Sequence, residues 1–130
     1  MPENAGSGRL AILLASGAHD RAHAAFTLAA SGAALGRAVT VFAMNGGCRA
    51  LLTDPSGLED WPRDATVSAR GVAGLETLRD ACRELGVALL ACDAGLRAEG
   101  LAATALAPGA EVAGATAFLS AAAGATVISF

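Results

Sequence analysis

The run Leu10–Leu14 reads LAILL, apolar at every position. A strand with one wet face alternates polar and apolar residues, so an unbroken run of five implies a strand covered on both faces. Such strands belong to parallel sheets, which are built by alternating strands with crossover helices. The remaining sequence has to supply that alternation, and it does.

Ser16 and Gly17 break the first run, and Asp20 is placed to cap the helix that follows. Its stripe of Ala22, Ala25, Phe26, Ala29 and Ala33 predicts a helix to about Leu35, stopped at Gly36. The β-branched AVTVFA is the second strand. Asn45-Gly46-Gly47 then turns the chain into a short helix with Cys48, Leu51 and Leu52. Residues 53–70 hold Pro55, Gly57 and Pro62 without apolar periodicity, and they are expected to form a long loop or lid. Val72, Leu75, Leu78, Cys82 and Leu85 recur at helical spacing up to Gly86. VALLA (Val87–Ala91) is the third strand, a short fourth is expected near Ala110–Ala113, and ATVISF closes the chain after a helix over Gly114–Ala123. The sum is a single α/β domain over residues 1–130, with residues 1–8 expected to be disordered.

With thirty-four Ala and sixteen Gly against four Phe, one Trp and no Tyr, the core must be built from small side chains in closely packed layers. The net charge of −3 is mild, and the nine basic residues, all Arg, are scattered. No basic stripe is present, so a nucleic-acid partner is not expected. Three cysteines without CxxC or CxxH spacing argue against a disulfide framework or a structural zinc site. Val112–Phe130 is uncharged but rich in Gly, Ser and Thr, and it reads as helix plus strand rather than a membrane span. No signal peptide is evident, and a reducing cytoplasm is expected.

Ligands of parallel sheets bind beyond the carboxyl ends of the strands. Three loops share that edge: Ser16–Asp20, Asn45–Cys48 and Cys92–Arg97. Cys92 lies where the third strand gives way to a helix, where unpaired N–H groups and the helix dipole favour a thiolate, the form that attacks sulfane sulfur. The bland reading is a buried apolar Cys that ends VALLA. Cys82 falls on the apolar stripe of its helix and reads as core. Cys48, at a helix start on the same edge, is either a second thiol or a small turn residue. His19 and His23 read first as polar residues in the first turn of a surface helix, and His19, on the ligand edge, is also placed to bond a substrate or polarise the Cys92 sulfur. Together with His23 it has a metal-like spacing but no third ligand, so no metal is expected. Asp93 reads as a helix cap, Arg97 as a residue that steers anions, and the amides of Asp93, Ala94 and Gly95 as donors to sulfur. No phosphate-loop signature occurs, and no cofactor is required.

The hexapeptide Cys92–Arg97, CxxGxR in form, is similar to the cysteine loop of rhodanese domains, though the surrounding chain follows another order. The whole chain from Leu10 to Phe130 resembles the DsrE/DsrF-like family of small sulfur-relay proteins, which includes the TusD-type subunits. The resemblance is carried by LAILLASGAHDRAHAAFTLAASGAALGRAVTVFAMNGG, by GVALLACDAGLRAEGL and by APGAEVAGATAFLSAAAGATVISF, in that order. It implies a flavodoxin-like three-layer α/β/α sandwich on a mostly parallel five-stranded sheet, assembled as a homotrimer or homohexamer. It also implies that Cys92 holds a persulfide and passes sulfur to a TusA-like carrier protein. Three rivals stand beside it: a non-catalytic oligomeric binding module of the same fold, a flavin binder, and metal binding by His19 and His23.

Overall fold

The computed structural model describes residues 8–130; the disorder expected for residues 1–8 lies, but for Gly8, outside the described residues. Five strands, β1 (Leu10–Leu14), β2 (Val39–Ala43), β3 (Ala88–Cys92), β4 (Ala110–Ala113) and β5 (Thr126–Ser129), form one sheet in the order β4-β3-β2-β1-β5. Every pairing is parallel. The helices are α1 (His19–Ala34), α2 (Arg63–Ala69), α3 (Leu75–Glu84), α4 (Asp93–Ala98) and α5 (Ala115–Ala121). Short 3-10 helices span Asn45–Leu51 and Ala103–Ala105.

The strand order fixes which face each helix covers. From β1 to β4 the chain steps one way along the sheet, and it then crosses back to add β5 beyond β1. Right-handed crossovers therefore put the earlier helices on one face and α5 on the other. Leu10, Ile12, Leu14, Val39, Val41 and Leu89 pack with Ala22, Ala25 and Phe26 of α1 and Leu75 and Cys82 of α3. The alternate residues Ala11, Phe42 and Cys92 pack with Phe118 of α5. The rings of Phe42 and Phe118 stack with centroids 4.7 Å apart. The second face is thin: Leu13, Met44 and Leu90 are only partly buried there.

Three expectations are corrected. The α1 helix starts at His19 from an Ala18 N-cap with no side-chain cap bond, so Asp20 lies inside the first turn and does not cap it. Val72 and Leu85 flank α3 and are exposed; the helix buries Leu75, Arg79 and Cys82 instead. Residues 53–70 are not loop throughout, because α2 forms within them. It buries no residue, so no apolar stripe announces it. Among the described residues no helix is long and apolar enough to cross a membrane.

Candidate functional site

The last residue of β3, Cys92, keeps an extended backbone and is the N-cap of α4. Its Sγ accepts the Gly95 N–H at 3.4 Å, within the range for a sulfur acceptor. The thiol thus takes the capping place expected of Asp93. Asp93 instead pairs with Arg97 one turn on, and both side chains are largely exposed. Ala94 is also exposed and Gly95 is buried. Cys92 itself is 4% exposed, so its sulfur is shielded from bulk water. Of the three amides expected to face the sulfur, that of Gly95 does.

Cys48 is brought to the same place. The β2–β3 register pairs Ala43 with Ala91, so the chain leaving β2 and the end of β3 lie side by side. The Cys48 thiol donates to the Ala43 carbonyl at 3.5 Å. A Cβ built on Gly95 would stand 3.1 Å from Cys48 Sγ, 3.3 Å from Cys92 Cβ and 2.8 Å from the Asn45 nitrogen. Only glycine lets α4 lie this close over both cysteines. Burial pushes the Cys48 thiol up to about 11; the Cys92 N–H opposes this, and the nearby Cys92 and Glu99 add to it. The 3-10 helix is tied down at its far end, where buried Arg79 donates to the carbonyls of Ala50 and Leu52 at 3.2 and 2.6 Å. Arg49 reaches Glu99, just past α4, at 3.3 Å. Cys82 lies apart under α1, bonded to the Phe26 carbonyl, and burial likewise pushes it up to about 11.

His19 does not serve the edge as expected. It is fully buried, and its Nε2 donates to Asp64 Oδ1 at 2.8 Å. The Leu75 N–H donates to the same oxygen at 2.8 Å. The Trp61 ring meets the imidazole edge-on with centroids 5.7 Å apart. Burial works to raise the Asp64 carboxyl, but the bonds from His19 and Leu75 outweigh it and hold it below its ordinary value. His23 Nε2 donates to the Ala73 carbonyl at 2.8 Å. The two imidazoles therefore fasten residues 58–75 to α1, and neither Nε2 is free for a metal. Asp64 is the residue that sequence reasoning missed. It lies forty-five positions from His19 in a stretch with no pattern.

The loop after β1 is closed as well. The amides of Ala15 and Ser16 donate to the Phe130 carbonyl, that of Ala18 to Ser16 Oγ and that of His19 to the Glu59 carbonyl. A phosphate cradle needs such amides unspent, so this loop does not suit the flavin reading. Gly47, next to Cys48, packs directly on β1: a Cβ there would be 2.1 Å from the Leu14 carbonyl oxygen.

No protein-family model and no curated protein sequence matches the chain. Solved structures do. The protein of unknown function MTH1491 from Methanobacterium thermoautotrophicum superposes with a TM-score of 0.65 at 18% identity, covering 95% of this chain and 100% of that one. The ychN protein from E. coli superposes with a TM-score of 0.71 at 15% identity, covering 94% and 99%. At these identities the likeness carries the architecture and not the chemistry: the chain has the flavodoxin-like α/β fold of the DsrE-like proteins.

Proposed function

We propose that the protein is a sulfur carrier of the DsrE/DsrF-like type, in which Cys92 accepts sulfur as a persulfide and hands it to the thiol of a partner carrier protein. The observation that carries this reading is the Cys92 sulfur at the strand-to-helix junction, bonded by the Gly95 N–H. The Cys92 thiolate attacks the terminal sulfane sulfur of a polysulfide or protein persulfide. The donor's sulfur–sulfur bond breaks, its remaining sulfur leaves with the electron pair, and Cys92 carries the new persulfide. Delivery repeats the step in reverse, with the acceptor thiolate attacking the outer sulfur and Cys92 leaving. The Gly95 N–H holds the inner sulfur in both steps, and exposed Arg97 steers an anionic donor toward the start of α4. Near-complete burial of Cys92 slows loss of the sulfur to stray thiols in a reducing cytoplasm.

Assembly as a homotrimer or homohexamer belongs to the same reading. It is supported by the thin face of the sheet, where Leu119 and Val127 are 68% and 56% exposed beside half-buried Leu13, Met44 and Leu90. Contiguous apolar surface of this kind marks an interaction site. The partner is expected to be a TusA-like carrier that meets Cys92 at the α4 edge.

The test is intact mass after incubating reduced protein with polysulfide. One added sulfur atom is expected on the wild type and none at that site in Cys92→Ser. Uptake at the wild-type rate by Cys92→Ser would end the assignment. The 4% exposure of Cys92 favours one other reading, a non-catalytic oligomeric binding module; native-state alkylation of Cys92 as slow as that of Cys82 would decide for it.

A further inference from the structure

We propose that Cys48 is the resolving thiol of this site: it attacks a persulfide on Cys92, expels the outer sulfur as sulfide and closes a Cys48–Cys92 disulfide. This rests on the reading of Cys92 as the carrier.

The packing around Gly95 brings the Cys48 sulfur up to the Cys92 residue. The Cys48 thiol lies close enough to Cys92 for that residue's main-chain N–H and its sulfur to act on its acidity in opposite directions. Both cysteines converge on Gly95, whose missing Cβ leaves the gap between them, 3.1 Å from one sulfur and 3.3 Å from the other residue's Cβ. Neither is in a disulfide. Arg79 of α3 anchors the 3-10 helix through the Ala50 and Leu52 carbonyls, and Arg49 ties that helix to Glu99 at the end of α4.

The step balances without an outside oxidant. The Cys48 thiolate forms a bond to the Cys92 Sγ, and the bond from that sulfur to the outer one breaks. The outer sulfur leaves with the electron pair and takes up the proton that Cys48 gave up. The Cys48 sulfur is oxidised and the outer sulfur reduced. A dithiol reductant then reopens the disulfide by exchange and restores both thiols.

The surroundings of Cys48 set the pace. Burial, with Cys92 and Glu99 nearby and the Cys92 N–H opposing, keeps the thiol protonated up to about 11. The charged neighbour on its own helix, Arg49, is engaged with Glu99. Only a small thiolate fraction exists at neutral pH, so discharge is slow and a docked acceptor wins the sulfur. Persulfide that meets no acceptor is cleared as sulfide. Cys48 thus acts as a timer on the carrier.

The experiment loads the full chain with polysulfide, removes the excess and follows intact mass and free sulfide. The wild type is expected to lose its added sulfur, release an equal amount of sulfide and end two hydrogens lighter than the reduced protein. The rate should rise about tenfold per pH unit below 11, as the thiolate fraction does. Cys48→Ala and Cys48→Ser should load and keep the sulfur. In the unmutated chain, diamide should link Cys48 to Cys92 and leave Cys82 free on peptide mapping, a readout that needs no variant to fold. Loaded sulfur whose loss is equally fast in wild type and Cys48→Ser, or a diamide product without the Cys48–Cys92 link, would overturn the inference and leave Cys92 as carrier. No uptake by the wild type would remove the carrier reading and this inference with it.

Discussion

His19 and Cys92 stand at comparable points of the fold, each where a buried strand of the same sheet hands over to a helix, yet their surroundings differ in kind. Around His19 the contacts come from a second layer, although its Nδ1 is buried without a partner among the described residues. Asp64 takes its Nε2 proton, Trp61 lies against its ring, and the Glu59 carbonyl takes its main-chain N–H. Those partners come from residues forty or more positions away, so the Nε2 side of the imidazole joins distant parts of the chain. Around Cys92 the polar contact is local, one long bond from the third residue of its own helix. The apolar packing of Ala11, Phe42 and Phe118 makes no demand on the sulfur lone pairs. At His19 the second layer engages Nε2 from afar, whereas at Cys92 it leaves the sulfur to one local bond.

The largest test of this contrast is His19→Ala. It opens a cavity at a fully buried site and removes one of two donors from Asp64. A loss of about 2–4 kcal/mol in urea unfolding is expected. Sulfur loading of Cys92 per folded molecule should not change. Loading that falls in step with stability would show that the two regions are one functional unit, and the contrast would break.

Much of this was legible in the residues and some was not. LAILL, AVTVFA and VALLA announced buried parallel strands because burial on both faces leaves no polar position to confuse the pattern. Gly36 and Gly86 marked helix ends, and both adopt positive φ. Cys92 was legible because its place depends only on its own strand and the helix after it. The fate of His19 was not, since it depends on Asp64 and Trp61 in a stretch whose helix carries no apolar stripe. The meeting of Cys48 with Cys92 depends on β2 and β3 being neighbours, which periodicity does not encode. The thiol as helix cap was missed because Asp93 is the better capping residue by type; as the first helical residue it lies one position too late.

Gly95→Ala sharpens the contrast from the other side. By helix propensity Ala is favoured over Gly by about 1 kcal/mol. Here the added methyl would stand 2.8 Å from the Asn45 main-chain nitrogen and 3.1 Å from Cys48 Sγ, and backbone cannot give way as a flexible side chain does. Overpacking of this kind costs about 1–3 kcal/mol, so the close contact outweighs the propensity. A net loss of stability is expected, with faster alkylation of Cys92 as α4 lifts away and the Gly95 N–H withdraws. A stabilised Gly95→Ala protein with unchanged alkylation would mean that the tight packing over the two thiols is not what shields them.

The smallest effect lies in acid, and it belongs to the His19 side alone. The Asp64 carboxyl is held below its ordinary value because the His19 and Leu75 bonds outweigh its burial. A carboxylate depressed in the folded state contributes stability above its unfolded value, near about pH 4, and that contribution is lost as pH falls through the lower folded value. Residues 58–75 should therefore loosen first on acidification, read as faster hydrogen exchange there, while the β3 amides stay protected. Asp54 in the neighbouring turn is also held low, by Ser56, so the control is Asp64→Asn. The Asn side chain does not titrate, and this variant should exchange faster at neutral pH and lack the acid step. If β3 and residues 58–75 lose protection together in the wild type, the fastening around His19 is not a separate element, and the two strand ends share one fate.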